Sequence, residues 1–222
     1  MKTAILVDGG FYRKRAAYLW GKRSPKQRAN ELIAYCSAHL EHQKKHDDTS
    51  LYRIFYYDCP PVDKTVYHPL KQVGVDFRHL DTYSWANDFH NELKKQRKVA
   101  LRMGEISTVS AHYAINPEKM KDLCKGSISV DDLEEQDFEI SFIQKGVDMK
   151  IGLDIASLAY KKQVGQIILI AGDSDFVPAA KLARREGIDF VLDPMGANIR
   201  DSLFEHIDGL NTPWKKKRKK QA

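Results

Sequence analysis

The sequence predicts an α/β protein, a three-layer α/β/α sandwich around a mostly parallel central sheet. Three observations lead there. Short unbroken apolar runs recur, such as Ala4-Ile5-Leu6-Val7 and Ile167-Ile168-Leu169-Ile170-Ala171. Runs of this kind suit strands buried on both faces, the habit of parallel sheets. Segments of helical periodicity separate them, and such alternation puts helices on both faces of one sheet. Acids also follow the runs, at Asp8 and at Asp173. In open parallel sheets, functional groups collect beyond the carboxyl ends of the strands.

Taken in order, residues 3–8 read as the first strand. Gly9-Gly10 reads as a tight turn with close backbone approach. Residues 26–45 read as a helix, because Leu32, Ile33, Cys36 and Leu40 recur at helical spacing. Residues 51–57 form the next strand, ended by Asp58-Cys59-Pro60-Pro61. A short helix over 63–73 and a strand over 75–80 are expected next. The alternation then breaks. Residues 82–137 are charged and aromatic, with strand-like 105–115 and helical 117–123. They read as an insertion decorating the sheet, since the stretch is long for a plain loop. Residues 138–142 return the chain to the core. A helix over 148–162, strands over 166–171 and 188–192, and helices over 176–186 and 198–206 follow. Gly165 and Gly187 stand where helices end. The expected organisation is one domain over 1–212, with the insertion at about 82–137 and a basic, disordered tail over 213–222.

At 222 residues and 42% hydrophobic content the chain can bury a sizeable core. No stretch has the length of a membrane span, and the first strand begins without a signal-peptide pattern. Cys36, Cys59 and Cys124 are widely spaced and form no CxxC pair. That suits reduced thiols in the cytoplasm better than disulfides or a zinc site. The net charge of +6 is local, because Lys215-Lys216-Lys217-Arg218-Lys219-Lys220 is a run of six cations. Without them the 36 Lys and Arg fall to 30, matching the 30 Asp and Glu. Such a run cannot pack, and it suits either plain solvation or binding of phosphate backbones.

The candidate chemistry rests on Asp8, Asp148, Asp173 and Asp175. Asp8 ends the first apolar run. Asp173 and Asp175 follow another, in Gly172-Asp173-Ser174-Asp175-Phe176. Asp148 opens a helical pattern whose apolar stripe is Ile151, Ile155 and Leu158. Carboxylates held together repel, and a hard divalent cation removes that penalty. Magnesium and manganese favour carboxylate and water oxygens and bridge them to phosphate. Mg²⁺ or Mn²⁺ is therefore the expected cofactor. Asp154 ranks below these four. Each acid has a plainer use as well. Asp173, Ser174 or Asp175 suits a helix cap, and Asp148 suits a first-turn acid. Arg13, Lys14 and Arg15 suit either a solvated helix face or contact with a nucleic-acid backbone, and Phe11 and Tyr12 suit packing better than base stacking.

Three motifs in order carry a family resemblance: Val7-Asp8-Gly9-Gly10-Phe11-Tyr12, Lys145-Gly146-Val147-Asp148, and Ala171-Gly172-Asp173-Ser174-Asp175-Phe176. Together they resemble the NYN domain family, and more narrowly the LabA-like (DUF88) branch of the PIN-like nuclease superfamily. The stretch Val99-Ala100-Leu101-Arg102-Met103-Gly104-Glu105 resembles a segment of that branch too. The resemblance spans about residues 3–208 and is weakest within 82–137. It implies a PIN-like fold and a metal-dependent ribonuclease. Asp8, Asp148, Asp173 and Asp175 would then be its metal-binding, catalytic acids and RNA its partner. Where many NYN relatives carry an Asn that helps orient metal-bound water or substrate, this chain carries Phe11.

Other readings stay open. A non-catalytic RNA-binding or regulatory module, as a homodimer, would keep the acids for structural reasons. A haloacid-dehalogenase-like phosphatase needs a second Asp two residues after the first, and Gly10 stands there. A dinucleotide-binding domain needs spaced glycines after the first strand, which this chain lacks. No membrane partner is expected.

Overall fold

In the computed structural model, which describes residues 1–43 and 49–214, the chain divides into two compact units. The first comprises Met1–Cys59, Asp88–Gly104 and the chain from Gly146 onward, and the second comprises Pro60–Asn87 and Glu105–Lys145. The expected tail lies almost wholly outside the described residues.

The first unit holds a six-stranded parallel sheet. Its strands in chain order are β1 (Lys2–Asp8), β2 (Ser50–Asp58), β5 (Val99–Met103), β8 (Gln166–Ile170), β9 (Asp189–Asp193) and β10 (Gly209–Leu210). Their spatial order is β10-β9-β8-β1-β2-β5, and every adjacent pair is parallel. The chain therefore runs outward from β1 in one direction, through β2 and β5. It returns beside β1 at β8 and proceeds the other way. The switch point lies between β1 and β8, where such sheets open a crevice at their carboxyl ends.

Both faces of the sheet are covered. Side chains alternate along a strand, so Ala4 and Leu6 of β1 share one face. They join a core with Ile151, Ile155 and Leu158 of α5 (Val147–Tyr160) and Ala180 and Ala183 of α6 (Val177–Arg185). Ile5 and Val7 face the other layer, and all four are completely buried. That layer contains α1 (Gly9–Trp20) and α2 (Pro25–Gln43), with Tyr12, Ala16, Leu32 and Tyr35 fully buried. Phe89, in the second half of α3 (Asp81–Lys94), packs edge-on against Tyr56 of β2.

Two local expectations change. Gly9-Gly10 is no turn: α1 begins at Gly9, with Asp8 as its cap. The close approach does hold, because a Cβ on Gly9 would lie 2.5 Å from the Tyr57 carbonyl oxygen and 2.6 Å from the Tyr56 ring. The expected helix over 63–73 is instead a hairpin in the second unit. Its strands are β3 (Thr65–His68) and β4 (Val73–Asp76), paired antiparallel. Val66 and His68 are buried while Thr65 and Tyr67 are exposed, so a period of two prevails over helical spacing, and Pro69 ends the first strand. The strand expected over 75–80 stops at Asp76 and continues as a 3-10 turn, Phe77–His79.

The second unit adds β6 (Glu105–Ile115), α4 (Pro117–Lys125) and β7 (Phe138–Lys145). β6 and β7 pair antiparallel. A small core of Val62, Val66 and Phe77, with Ile106, Tyr113, Ile140 and Phe142 packed against it, holds this unit together. Of the stretch 82–137, Val99–Met103 belongs to the central sheet of the first unit. After β9 the chain passes through a loop to the four-residue helix α7 (Asp201–Phe204). No helix among the described residues is long and apolar enough to cross a membrane.

Candidate functional site

Four strands carry an acid at or just past their carboxyl ends: Asp8 on β1, Asp58 on β2, Asp193 on β9, and Asp173 with Asp175 after β8. Registration fixes their height. Val7 pairs with Ile170, and Asp8 pairs with Tyr57. Asp8 and the Ala171–Asp175 segment thus flank the switch point between β1 and β8. Asp148 stands in the first turn of α5.

Local hydrogen bonds fix two of these side chains. Asp8 Oδ1 accepts the Phe11 N–H at 3.1 Å. Asp173 Oδ1 accepts the Asp175 N–H at 3.1 Å and caps the turn Ser174–Phe176. The cap there is Asp173, not Ser174, whose Oγ instead accepts from Arg200 Nη1 at 3.3 Å. The Phe11 ring lies over Gly172, where a Cβ would come within 2.5 Å of it. Phe11 therefore packs the first motif against the third.

Electrostatics ties the acids together. Burial, and after it the negative charge of Asp148, raises the Asp8 carboxyl above its ordinary range. The Phe11 and Gly10 N–H groups and the Arg13 charge work against this. Asp148 is raised as well, by desolvation and then by Asp173 and Asp175. Among the described residues none of the four acids forms a salt bridge. Their mutual repulsion is thus left unrelieved by any ion pair.

The remaining acids at this edge are committed elsewhere. Asp58 is buried and ion-paired with Arg13. It also accepts from Cys59 N–H at 2.8 Å and lies 2.9 Å from His90 Nε2. Burial, then the Arg13 and Lys94 charges, lowers the His90 pKa to about 4, so this ring is neutral at pH 7. Asp193 is completely buried. It is met by Tyr35 Oη, by His39 Nε2 at 2.8 Å, by Thr212 Oγ1 at 2.7 Å and by the Met195 N–H at 2.8 Å. Asp154 accepts from Tyr57 Oη at 2.8 Å and pairs with Arg102 at 2.9 Å. Arg13, expected either on a solvated face or on a nucleic-acid backbone, is the counterion of Asp58. No local pattern in the sequence marks this network, since its members come from separate elements.

The donor chemistry of the four unpaired acids, oxygen only, fits magnesium or manganese. Their spacing does not fit a protein cage: among the described residues no three Asp, Glu, His or Cys side chains converge on one ion position.

The fold is that of an α/β protein with a parallel central sheet and acids on both sides of its switch point. The NYN domain model matches residues 64–202, and the chain belongs to the NYN domain family, part of the PIN-like nuclease superfamily. Asp148, Asp173 and Asp175 lie within the match and Asp8 precedes it. Among solved structures, a protein of unknown function from Vibrio parahaemolyticus is similar over 94% of this chain and 90% of its own, at 14% identity and a TM-score of 0.46. A search of curated proteins returned no match.

Proposed function

We propose that this chain is a metal-dependent ribonuclease of the LabA-like (DUF88) branch, hydrolysing RNA phosphodiester bonds at the β1–β8 edge. Asp8, Asp148, Asp173 and Asp175 would share a hydrated Mg²⁺ or Mn²⁺, one or two of them touching the ion directly and the others acting through its water shell. The observation that carries the reading is the unpaired state of these acids at the switch point, with Asp8 and Asp148 raised by burial and by like charge. The neighbouring acids Asp58, Asp154 and Asp193 are each met by side-chain partners from other elements, which these four are not. Perturbed carboxyls gathered in a crevice mark functional sites.

A bound divalent ion supplies an activated water and stabilises charge on the scissile phosphate. The chain's own residues hold and orient. The Phe11 N–H fixes the Asp8 carboxylate, and the Asp175 N–H fixes that of Asp173. Phe11 on Gly172 holds these two segments in register. None of the acids attacks the substrate. A cytoplasmic setting belongs to this reading, supported by Cys36, Cys59 and Cys124, none of which forms a disulfide.

The test is cleavage of single-stranded RNA with magnesium or manganese, against Asp8→Asn and Asp173→Asn. Both variants should fold and lose at least about 100-fold in rate, because each removes a metal-binding charge. Equal cleavage by both would end the assignment.

A further inference from the structure

The same edge holds two arginines that the acids do not use. Arg15 of α1 donates from Nη2 to the Met195 carbonyl at 2.8 Å. Its Nε is buried with no hydrogen-bond partner, and its guanidinium lies 5.1 Å from the Tyr18 ring centroid. Arg200 is exposed, and its Nη1 reaches Ser174 Oγ, between Asp173 and Asp175. Neither arginine has a carboxylate partner among the described residues. Both are tied to one loop, 194–200, which leaves the carboxyl end of β9 next to β8. Arg13, two residues from Arg15, shows the contrast, since it is spent on buried Asp58.

We propose that Arg15 and Arg200 form a phosphate-binding subsite on the β9 side of the acidic sheet edge. It would take a phosphodiester of the strand next to the scissile one. This rests on the nuclease reading for the identity of the strand. The physical argument is charge placement. Four carboxylates repel a polyanion, and an ion held among them offsets that only locally. A strand crossing the edge needs cations beside the acids that the acids have not captured. Arginine suits this role, because its planar fork pairs with phosphate oxygens and it stays charged. The unpaired Nε of Arg15 is a buried donor with an unmet demand, which an anion would satisfy. The Arg200–Ser174 bond places the second cation on the acidic motif itself. The substrate is therefore a strand with phosphates beyond the cleaved one, not a mononucleotide ester.

The experiment measures binding of a short fluorescein-labelled single-stranded RNA of mixed sequence by anisotropy, in EDTA, across a salt series. The full-length parent is compared with Arg200→Gln, Arg200→Lys and Arg15→Gln, with thermal melts to confirm folding. Arg200→Gln should weaken binding several-fold and reduce the slope of log affinity against log salt by about 0.7, the value of one single-strand phosphate contact. Arg200→Lys should keep the slope and recover only part of the affinity. Arg15→Gln should match Arg200→Gln. If it unfolds, exposed Arg200 alone decides. Unchanged affinity and slope in Arg200→Gln, or no RNA binding by the parent, overturns the subsite. Loss of binding in Arg200→Gln without any metal-dependent cleavage by the parent keeps the subsite and removes the nuclease reading.

Discussion

Two sets of aspartates occupy the same edge of one sheet and have opposite fates. Asp58 and Asp193 end β2 and β9, are buried, and are surrounded by donors. Asp8, Asp148, Asp173 and Asp175 gather around β1 and β8 and have no ion-pair partner among the described residues. A buried carboxylate without partners costs several kcal/mol, so the first set is structural by necessity. In the second set Asp148, Asp173 and Asp175 are exposed and Asp8 is half-buried, and the like charges oppose ionisation of Asp8 and Asp148, a pattern expected of a site that takes up a cation. The contrast can be broken by exchanging consequences: removing a structural acid should cost the fold, and removing a site acid should cost only the chemistry.

The largest effect belongs to Asp193. Asp193→Ala strands buried Tyr35, His39 and the Met195 N–H, and half-buried Thr212, without their shared acceptor. A loss of about 3–5 kcal/mol is expected, read from urea unfolding. A loss under about 1 kcal/mol would show that the two sets do not differ. Asp8→Asn should behave oppositely. It keeps an acceptor for the Phe11 N–H and removes a charge that burial and Asp148 oppose. We expect metal-free stability to rise by about 0.5–1 kcal/mol while cleavage falls.

Packing at the start of α1 gives the next effect. Gly9→Ala would drive a methyl into the Tyr57 carbonyl and the Tyr56 ring. Backbone cannot yield cheaply, so about 1–3 kcal/mol should be lost. A neutral Gly9→Ala in the same unfolding measurement would show that the first turn of α1 has room to shift.

How much of this contrast the sequence reveals follows from the distance between partners. Strand ends were legible, because an unbroken apolar run followed by Asp is a local signal. So was the placing of Asp8 and Asp173 at strand ends and of Asp148 in the first turn of a helix. The fate of each acid was not legible. Asp193 finds Tyr35 at a separation of 158 residues and His39 at 154, and Asp58 finds His90 at 32. No periodicity encodes such meetings. The hairpin at Thr65–Asp76 was missed for another reason: four-residue strands are too short to establish a period of two. α1 was missed because two glycines at its start mimic a turn, while their purpose is the close approach to Tyr56 and Tyr57.

The two sets also differ in the sign of their pH dependence. His90, beside Asp58, titrates at about 4 in the fold and at about 6.5 when unfolded. Its contribution to stability is complete above about pH 6.5 and is lost as pH falls through about 4. His90→Gln should therefore cost stability at neutral pH, and that cost should shrink toward pH 4. Asp8 and Asp148 are raised, so the fold favours their protonated forms. Their contribution is present below the ordinary carboxylate value and is lost as pH rises through the folded one. The gain from Asp8→Asn should accordingly grow with pH and then level off. Melting curves of the two variants against the parent across this range should diverge in opposite directions, and parallel curves would remove the electrostatic distinction.

The smallest effect is the most discriminating. A ligand that binds only the folded state stabilises by RT ln(1 + [L]/Kd), about 1.4 kcal/mol at ten times Kd. For a chain of this size that is a rise of only a few degrees in melting midpoint. Magnesium should produce it in the parent, and Asp173→Asn should abolish it. A milder structural variant, Asp193→Asn, should melt earlier yet keep the whole shift, because that carboxylate is already enclosed by protein hydrogen-bond partners. The magnesium response would then follow which acids are unpaired, independently of how stable each variant is. A shift that shrinks equally in Asp193→Asn and Asp173→Asn would mean that magnesium reads general stability, and the division between the two sets of acids would lose its functional meaning.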